Sequence, residues 1–210
     1  MASSSDHADT PRRRQLVEAA GSLFRSRGFR GVTMEAIAAE ARVAKATLYS
    51  YFPDKTAIFT ALASHVVRMI ADAMCEALAE AGDVDTRLLR GLIARHRVLF
   101  ELVEGSVHAR ELMTAKENFA RTSVYSVDVQ MIAALAAVVR EDAVLARSAD
   151  QIAHILFDGA NGVCSSARTV EETEAAITSF ARPYLVGARA LADASVRHSE
   201  GRRAAGSGKR

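Results

Sequence analysis

The chain has 210 residues, half of them hydrophobic and a quarter charged, with 12 Gly, 3 Pro and 2 Cys. That composition suits one or two compact domains with a substantial core and excludes a disordered or collagen-like chain. No run of about 18 apolar residues stands out, and the first ten residues are polar and acidic rather than a signal sequence. Cys75 and Cys164 make no disulfide framework, so a cytoplasmic protein away from membranes is expected.

The formal net charge of +2 conceals an asymmetry. Residues 1–60 carry nine Lys/Arg against six Asp/Glu, residues 61–200 carry 14 against 19, and the last ten add four positive charges. A small basic unit joined to a larger acidic one suggests that the first part meets a polyanion. A lightly basic surface with a basic tail is the plainer alternative.

Taken in order, the elements are all helical. Thr10-Pro11 reads as an N-cap with proline at the first helical position, and Leu16, Ala20, Leu23 and Phe24 follow as one apolar stripe. Gly28 supplies a left-handed C-cap, so the first helix spans about 11–27. Thr33 caps a short helix through Ile37, Ala38 and Ala41, and another covers about 44–50. Pro53-Asp54 opens a long fourth helix that runs to about Ala81 and stops at Gly82. Asp83 opens the next, with the stripe Leu88-Leu92-His96-Leu99-Val103. Helices are predicted over 107–119 and from Arg121 to Glu141. Capping boxes at Ser148–Gln151 and Thr169–Glu172 start the last two, at about 149–166 and 170–192. Pro183 falls inside the final helix and predicts a bend rather than an end, because Tyr184, Ala188 and Leu191 keep the helical spacing. No segment alternates with period two, so the fold class is all-α with about nine helices. The expected division is a helix-turn-helix domain over 10–56 and a larger helical domain over 57–195, with disordered tails at 1–9 and 199–210.

The second and third helices are separated by only Arg42-Val43, the tight turn of a helix-turn-helix unit that presents its second helix to the DNA major groove. Leu48 and Phe52 share the inward face. Ala46, Thr47 and Ser50 then face outward, flanked by Lys45 and Tyr49 on one side and Tyr51 on the other. A face of small and hydroxyl-bearing residues can approach base edges, while Lys and Tyr suit phosphate oxygens. The helix starts at Thr33 and Asp54-Lys55 add N–H groups that favour phosphate. Against this, the two tyrosines could be ordinary aromatic core. Arg12, Arg13 and Arg14 could reach DNA or could simply be solvated.

The stretch Gly28-Phe29-Arg30-Gly31-Val32-Thr33-Met34-Glu35-Ala36-Ile37-Ala38 continuing at Val43 to Lys55 resembles the DNA-binding domain of the TetR family of bacterial transcriptional regulators. The resemblance covers about residues 12–62. It implies that Lys45, Ala46, Thr47 and Ser50 face the bases, and that Thr33, Tyr49, Tyr51 and Lys55 hold the phosphate backbone. Three positions depart from the pattern: Arg42 replaces the usual turn glycine, Ala44 the usual capping Ser or Thr, and Ala46 a common Gly. Arg42 is itself a candidate DNA contact, to a phosphate or a guanine edge.

The resemblance further implies a homodimer on a palindromic operator of double-stranded DNA, paired through the last two helices. His154, Phe157 and Asn161 on one, with Phe180, Tyr184 and Gly187 on the other, are the candidate interface, unless these stripes face their own core. It also implies a helical cage whose small-molecule effector changes DNA binding, most simply by releasing a repressor. His96, Phe100, Val103, Met113, Phe119, Tyr125, Phe157 and Cys164 are candidate lining residues, with His96, His108 and Arg110 as polar anchors. No cofactor or metal is expected, since no His, Cys and carboxylate spacing resembles a metal site. An enzyme is not expected either, since no phosphate loop, nucleophile elbow, H-E-x-x-H or di-iron motif occurs. The rival reading is a helical-bundle binding or scaffold protein that does not read DNA.

Overall fold

The computed structural model describes residues 10–103 and 121–207, with side chains over 10–101 and 127–194. Among the described residues there are eight α-helices: α1 (Pro11–Arg27), α2 (Met34–Glu40), α3 (Lys45–Tyr51), α4 (Lys55–Ala79), α5 (Val84–Val103), α6 (Arg121–Val139), α7 (Ala149–Cys164) and α8 (Val170–Ser207). A 3-10 turn, Ala146–Ser148, precedes α7, and no strand occurs among these residues. The fold is all-α. The helix expected over 107–119 and the tails 1–9 and 208–210 lie outside the described residues.

Local signals set most helix ends. Thr10 Oγ1 accepts from the Arg13 amide at 3.3 Å, Thr33 Oγ1 from Ala36 at 3.2 Å, Asp54 Oδ1 from Ala57 at 2.8 Å and Asp83 Oδ1 from Thr86 at 2.9 Å. Each satisfies an N–H that the helix itself leaves without a partner. Gly28 closes α1 at φ 69° and ψ 163°, a positive-φ conformation that glycine adopts without a side-chain clash. Thr169 caps α8 through the Glu172 amide at 3.1 Å, although the Glu172 carboxylate reaches back to the Arg168 amide rather than to Thr169.

Two expectations at the ends of α7 and α8 fail. Ser148 makes no side-chain cap, because the 3-10 turn feeds into α7 and holds its ψ at 18°, away from the extended geometry a capping residue needs. The last helix does not end near 192. It continues through Pro183 and on to Ser207, into the segment read as a disordered tail, since Ala, Arg and Glu after 192 are strong helix formers. Pro183 and Ser179, the residue whose carbonyl loses its helical partner, are both exposed.

Contacts divide the chain into two compact units, residues 1–69 with 101–127, and 70–100 with 128–210. The break falls inside α4, between Met69 and Ile70. In the first unit, Leu16, Leu23, Phe24, Val32, Ile37, Leu48, Phe52, Ile58 and Phe59 form the core. Phe24, Phe29 and Phe59 meet pairwise at 5.2–5.9 Å, two of the pairs edge to face. In the second unit, Met74, Leu88, Leu92, Leu135, Leu145, Leu156, Ile177 and Leu185 are among the buried residues. Arg189 of α8 ties Asp85 of α5 to Asp142, donating at 3.0 and 2.8 Å.

By length and composition α4 could cross a membrane, a feature the sequence reading missed. Its apolar side chains are used otherwise: Ile58, Phe59 and Ala61 lie in the core of the first unit, and Ile70, Met74, Ala77 and Leu78 are buried too.

Candidate nucleic-acid interface

Helix α2 ends in a motif built from backbone alone. The Val43 amide donates to the Ala38 carbonyl at 2.9 Å and the Arg42 amide to Ala39 at 3.1 Å. These are the two bonds of a Schellman turn, which needs a left-handed residue at the position of Arg42. Arg42 adopts it, at φ 53°, although an L side chain there costs about 1–2 kcal/mol. The turn thus keeps the geometry that glycine would give. Val43 packs on the core, and Gln15 of α1 donates to the Ala41 carbonyl at 3.1 Å, fixing α1 against the turn.

Leu48 is fully buried and Phe52 nearly so, which anchors the inner face of α3. Lys45, Ala46, Tyr49 and Ser50 are exposed and Thr47 half-exposed. Ala44 supplies no side-chain cap. Ser50 Oγ donates to the Thr47 carbonyl at 2.7 Å. Lys45 pairs with Glu35 of α2 and lies 5.8 Å from the Tyr49 ring. The shared hydrogen bond raises the Lys45 pKa and lowers that of Glu35. Tyr51 is half-buried and packs against the core.

Other expected phosphate-holding groups are occupied. Lys55 turns inward, its ammonium donating to the Phe29 carbonyl at 2.7 Å and to Val32 at 2.8 Å, over the Phe29 ring at 4.5 Å. Its first task is therefore to close the α1–α2 loop onto α4. The Asp54 carboxylate fills the start of α4, and the Thr33 hydroxyl that of α2. Arg13 is not part of a loose arm: its guanidinium stacks on Phe52 at 4.9 Å, while Arg12 donates to Gln15 at 3.0 Å. Arg13, Arg14, His65 and Arg68 also border one small cleft between α1 and α4, a basic patch the sequence reading missed because it spans two helices.

The candidate effector residues are placed in part. Met113, Phe119, His108 and Arg110 lie outside the described residues, as do the side chains of Val103 and Tyr125. His96 and Phe157 are buried, Phe100 and Cys164 half-buried. His96 Nδ1 lies 2.8 Å from the Leu92 carbonyl and must donate to it, leaving Nε2 to accept from Arg95 Nη1 at 3.1 Å. Burial and the Arg95 charge push the His96 pKa down to about 4. Arg95, not singled out from sequence, is buried, donates to Asn161 Oδ1 at 2.7 Å and covers the Phe157 ring at 4.4 Å. Its position beside His96 on the inward stripe was the available signal. Both cysteines are free, and among the described residues no three His, Cys, Asp or Glu converge as a metal site.

The expected dimer face divides. Phe157 is buried and does not present itself to a partner, and Asn161 is engaged by Arg95. His154 is exposed and Phe180 stacks on Tyr184 at 6.0 Å. Phe180 also covers Gly159, where an added Cβ would lie 2.0 Å from its ring. Tyr184 and Gly187 line a groove of about 470 Å³ with Leu145, Ile152, Ile155 and Leu191. Ile155, Val186 and Leu191 are exposed apolar residues on α7 and α8. Of the three α7 positions, His154 and Asn161 are exposed and Phe157 alone is buried.

Residues 16–62 match the family profile described as bacterial regulatory proteins, tetR family. No curated protein matches the chain in sequence at a significant level. Among solved structures, one described as a TetR-family transcriptional regulator from Mesorhizobium loti aligns at TM-score 0.65 and 21% identity, over 85% of this chain and 98% of that one. A TetR-like transcriptional regulator from Rhodococcus sp. RHA1 aligns at 0.59 and 23%, over 84% and 96%. A fatty acid degradation regulator from Bacillus halodurans aligns at 0.53 and 19%, over 83% and 98%. These likenesses show the all-helical fold, and the profile match shows that residues 16–62 are similar to the N-terminal domain of the tetR family of bacterial regulatory proteins.

Proposed function

We propose that the protein is a homodimeric transcriptional repressor that binds a palindromic operator and is released from it by a small apolar effector. The observation that supports this best is the outward face of α3. Lys45, Ala46, Thr47, Tyr49 and Ser50 are accessible on a helix whose opposite face is locked by Leu48. Small and hydroxyl side chains at 46, 47 and 50 read base edges. Lys45, Tyr49, Tyr51 and Thr33 hold phosphates, and Lys55 keeps one proton for the same task. Arg42, exposed at the turn, reaches the DNA beside them. Two copies pair through α7 and α8, where the groove at Tyr184 and Gly187 and the exposed Ile155, Val186 and Leu191 supply apolar surface. The chain works in the cytoplasm and performs no catalysis.

Duplex binding at two salt concentrations tests the reading. A groove reader loses affinity with a log–log slope of about −0.9 per phosphate contacted. Lys45→Ala is expected to reduce that slope by about one contact, and Thr47→Val to alter base preference instead. Selection from a random duplex pool is expected to return two half-sites about one helical turn apart, or somewhat more. Binding that is absent at low salt, or a single half-site, overturns the regulator or the dimer respectively.

A further inference from the structure

Within α5 and α7 lies a charge that has no counter-charge among the described residues. Arg95 is only 7% exposed, yet among the described residues no carboxylate stands within ion-pairing distance of it. Asp128 acts on it only through space, and burial works against its protonation. A buried cation normally has an anionic partner, because desolvation costs several kcal/mol per ion.

The guanidinium is also oriented. Nη1 spends both hydrogens, one on Asn161 Oδ1 at 2.7 Å and one on His96 Nε2 at 3.1 Å. The flat face lies over the Phe157 ring. What remains is the Nε–Nη2 edge. Nε is buried with no hydrogen-bond partner, and no bond from Nη2 occurs among the described residues. That edge is the one an arginine uses for two parallel bonds to a carboxylate. His96 cannot supply the charge. It stays neutral and serves as an acceptor that helps to fix the arginine.

We infer that Arg95 is the headgroup site of an anionic effector, a carboxylate carried on an apolar body that the Nε–Nη2 edge grips bidentately. The inference rests on the proposed effector-responsive role of this region and narrows the effector from apolar to amphipathic. Phe157 under the arginine, Phe100 one turn from His96, and half-buried Cys164 one turn beyond Asn161 give the body apolar surroundings. Asn161 is exposed, so the cluster reaches solvent along α7.

The test melts the purified full-length protein with octanoate, decanoate, benzoate and phenylacetate, each beside its neutral primary amide. At least one carboxylate is expected to raise Tm where its amide does not, with a preference of about tenfold or more in Kd for a charge-assisted pair. Arg95→Met is expected to erase the preference. Without ligand it should melt no lower than wild type, because it removes a buried unpaired charge. Asn161→Asp offers a resident carboxylate and is expected to raise Tm and blunt the carboxylate response, a readout that survives if Arg95→Met folds poorly. The site is overturned if no carboxylate outperforms its amide, or if Asn161→Asp responds as wild type does. Duplex binding measured on the same samples separates the two claims. DNA binding without a carboxylate preference removes the anion site alone, whereas no DNA binding in wild type removes the regulator reading whatever the melts show.

Discussion

The head formed by α1–α3 and the start of α4 handles its polar side chains differently from the region of α5–α8. In the head, polar groups sit at the surface or at helix ends. Thr10, Thr33 and Asp54 cap, Lys55 and Gln15 hold backbone carbonyls, and the core beneath is wholly apolar. In the second region, Arg95 and His96 sit inside. A recognition helix must be held rigid by groups that need no partner, so its scaffold is completed internally. On the proposed function, the second region responds to a ligand and can leave a buried group incomplete, at a cost in stability that binding recovers.

The sharpest way to break this contrast is in the head's core. Phe24 is fully buried and meets both Phe29 and Phe59. Phe24→Ala is expected to cost about 3–5 kcal/mol and to abolish duplex binding, read by a denaturant melt and a binding assay together. If binding survives, the head does not depend on its aromatic core as described.

Lys55 gives the next effect. Lys55→Met leaves the Phe29 and Val32 carbonyls without a charged donor, so a loss of about 2–3 kcal/mol is expected. Were Lys55 mainly a phosphate holder, the loss would appear in the salt dependence of DNA binding and the melt would hardly move. The melt and the salt slope distinguish the two.

His96 tests the other region. Its folded-state pKa of about 4 lies below the ordinary 6.5, so between those values the unfolded chain binds more protons than the folded one. Stability is therefore unaffected above pH 6.5. It falls as pH drops from 6.5 towards 4, by up to about 1.4 kcal/mol per pH unit. The difference in stability between wild type and His96→Gln isolates this dependence from that of the carboxylates. A flat difference across that range would mean that His96 titrates as if exposed.

Much of the head was legible because its signals are local. Thr10-Pro11, Gly28, Thr33 and Asp54 each declare a helix end within four residues, and Leu48 with Phe52 declares the inner face of α3. Lys55 was not legible, since its acceptors lie 26 and 23 residues away. Arg95 was passed over for a similar reason: its partner Asn161 is 66 residues on, and an arginine on an apolar stripe reads as an interruption until a neighbouring helix supplies acceptors. The burial of Phe157 and the failure of the Ser148 box turn on finer points. Which residue of a helix face turns inward, and whether a 3-10 turn precedes a helix, are set by packing, which spacing does not carry.

The smallest effect concerns Arg42, where stability and function are expected to move in opposite directions. Its left-handed backbone costs about 1–2 kcal/mol for an L side chain, and glycine returns about half of that, because it also loses more freedom on folding. Arg42→Gly should therefore gain about 0.5–1 kcal/mol in a melt. Arg42→Ala keeps the strain and should leave stability nearly unchanged. If the guanidinium touches DNA, both variants lose affinity equally despite their different stabilities, and preference at one base pair relaxes if the contact is to guanine. If both keep full affinity and preference, Arg42 only occupies the turn. If glycine gives no gain over alanine, the strain assigned to φ 53° is absent, and the turn tolerates an arginine without cost.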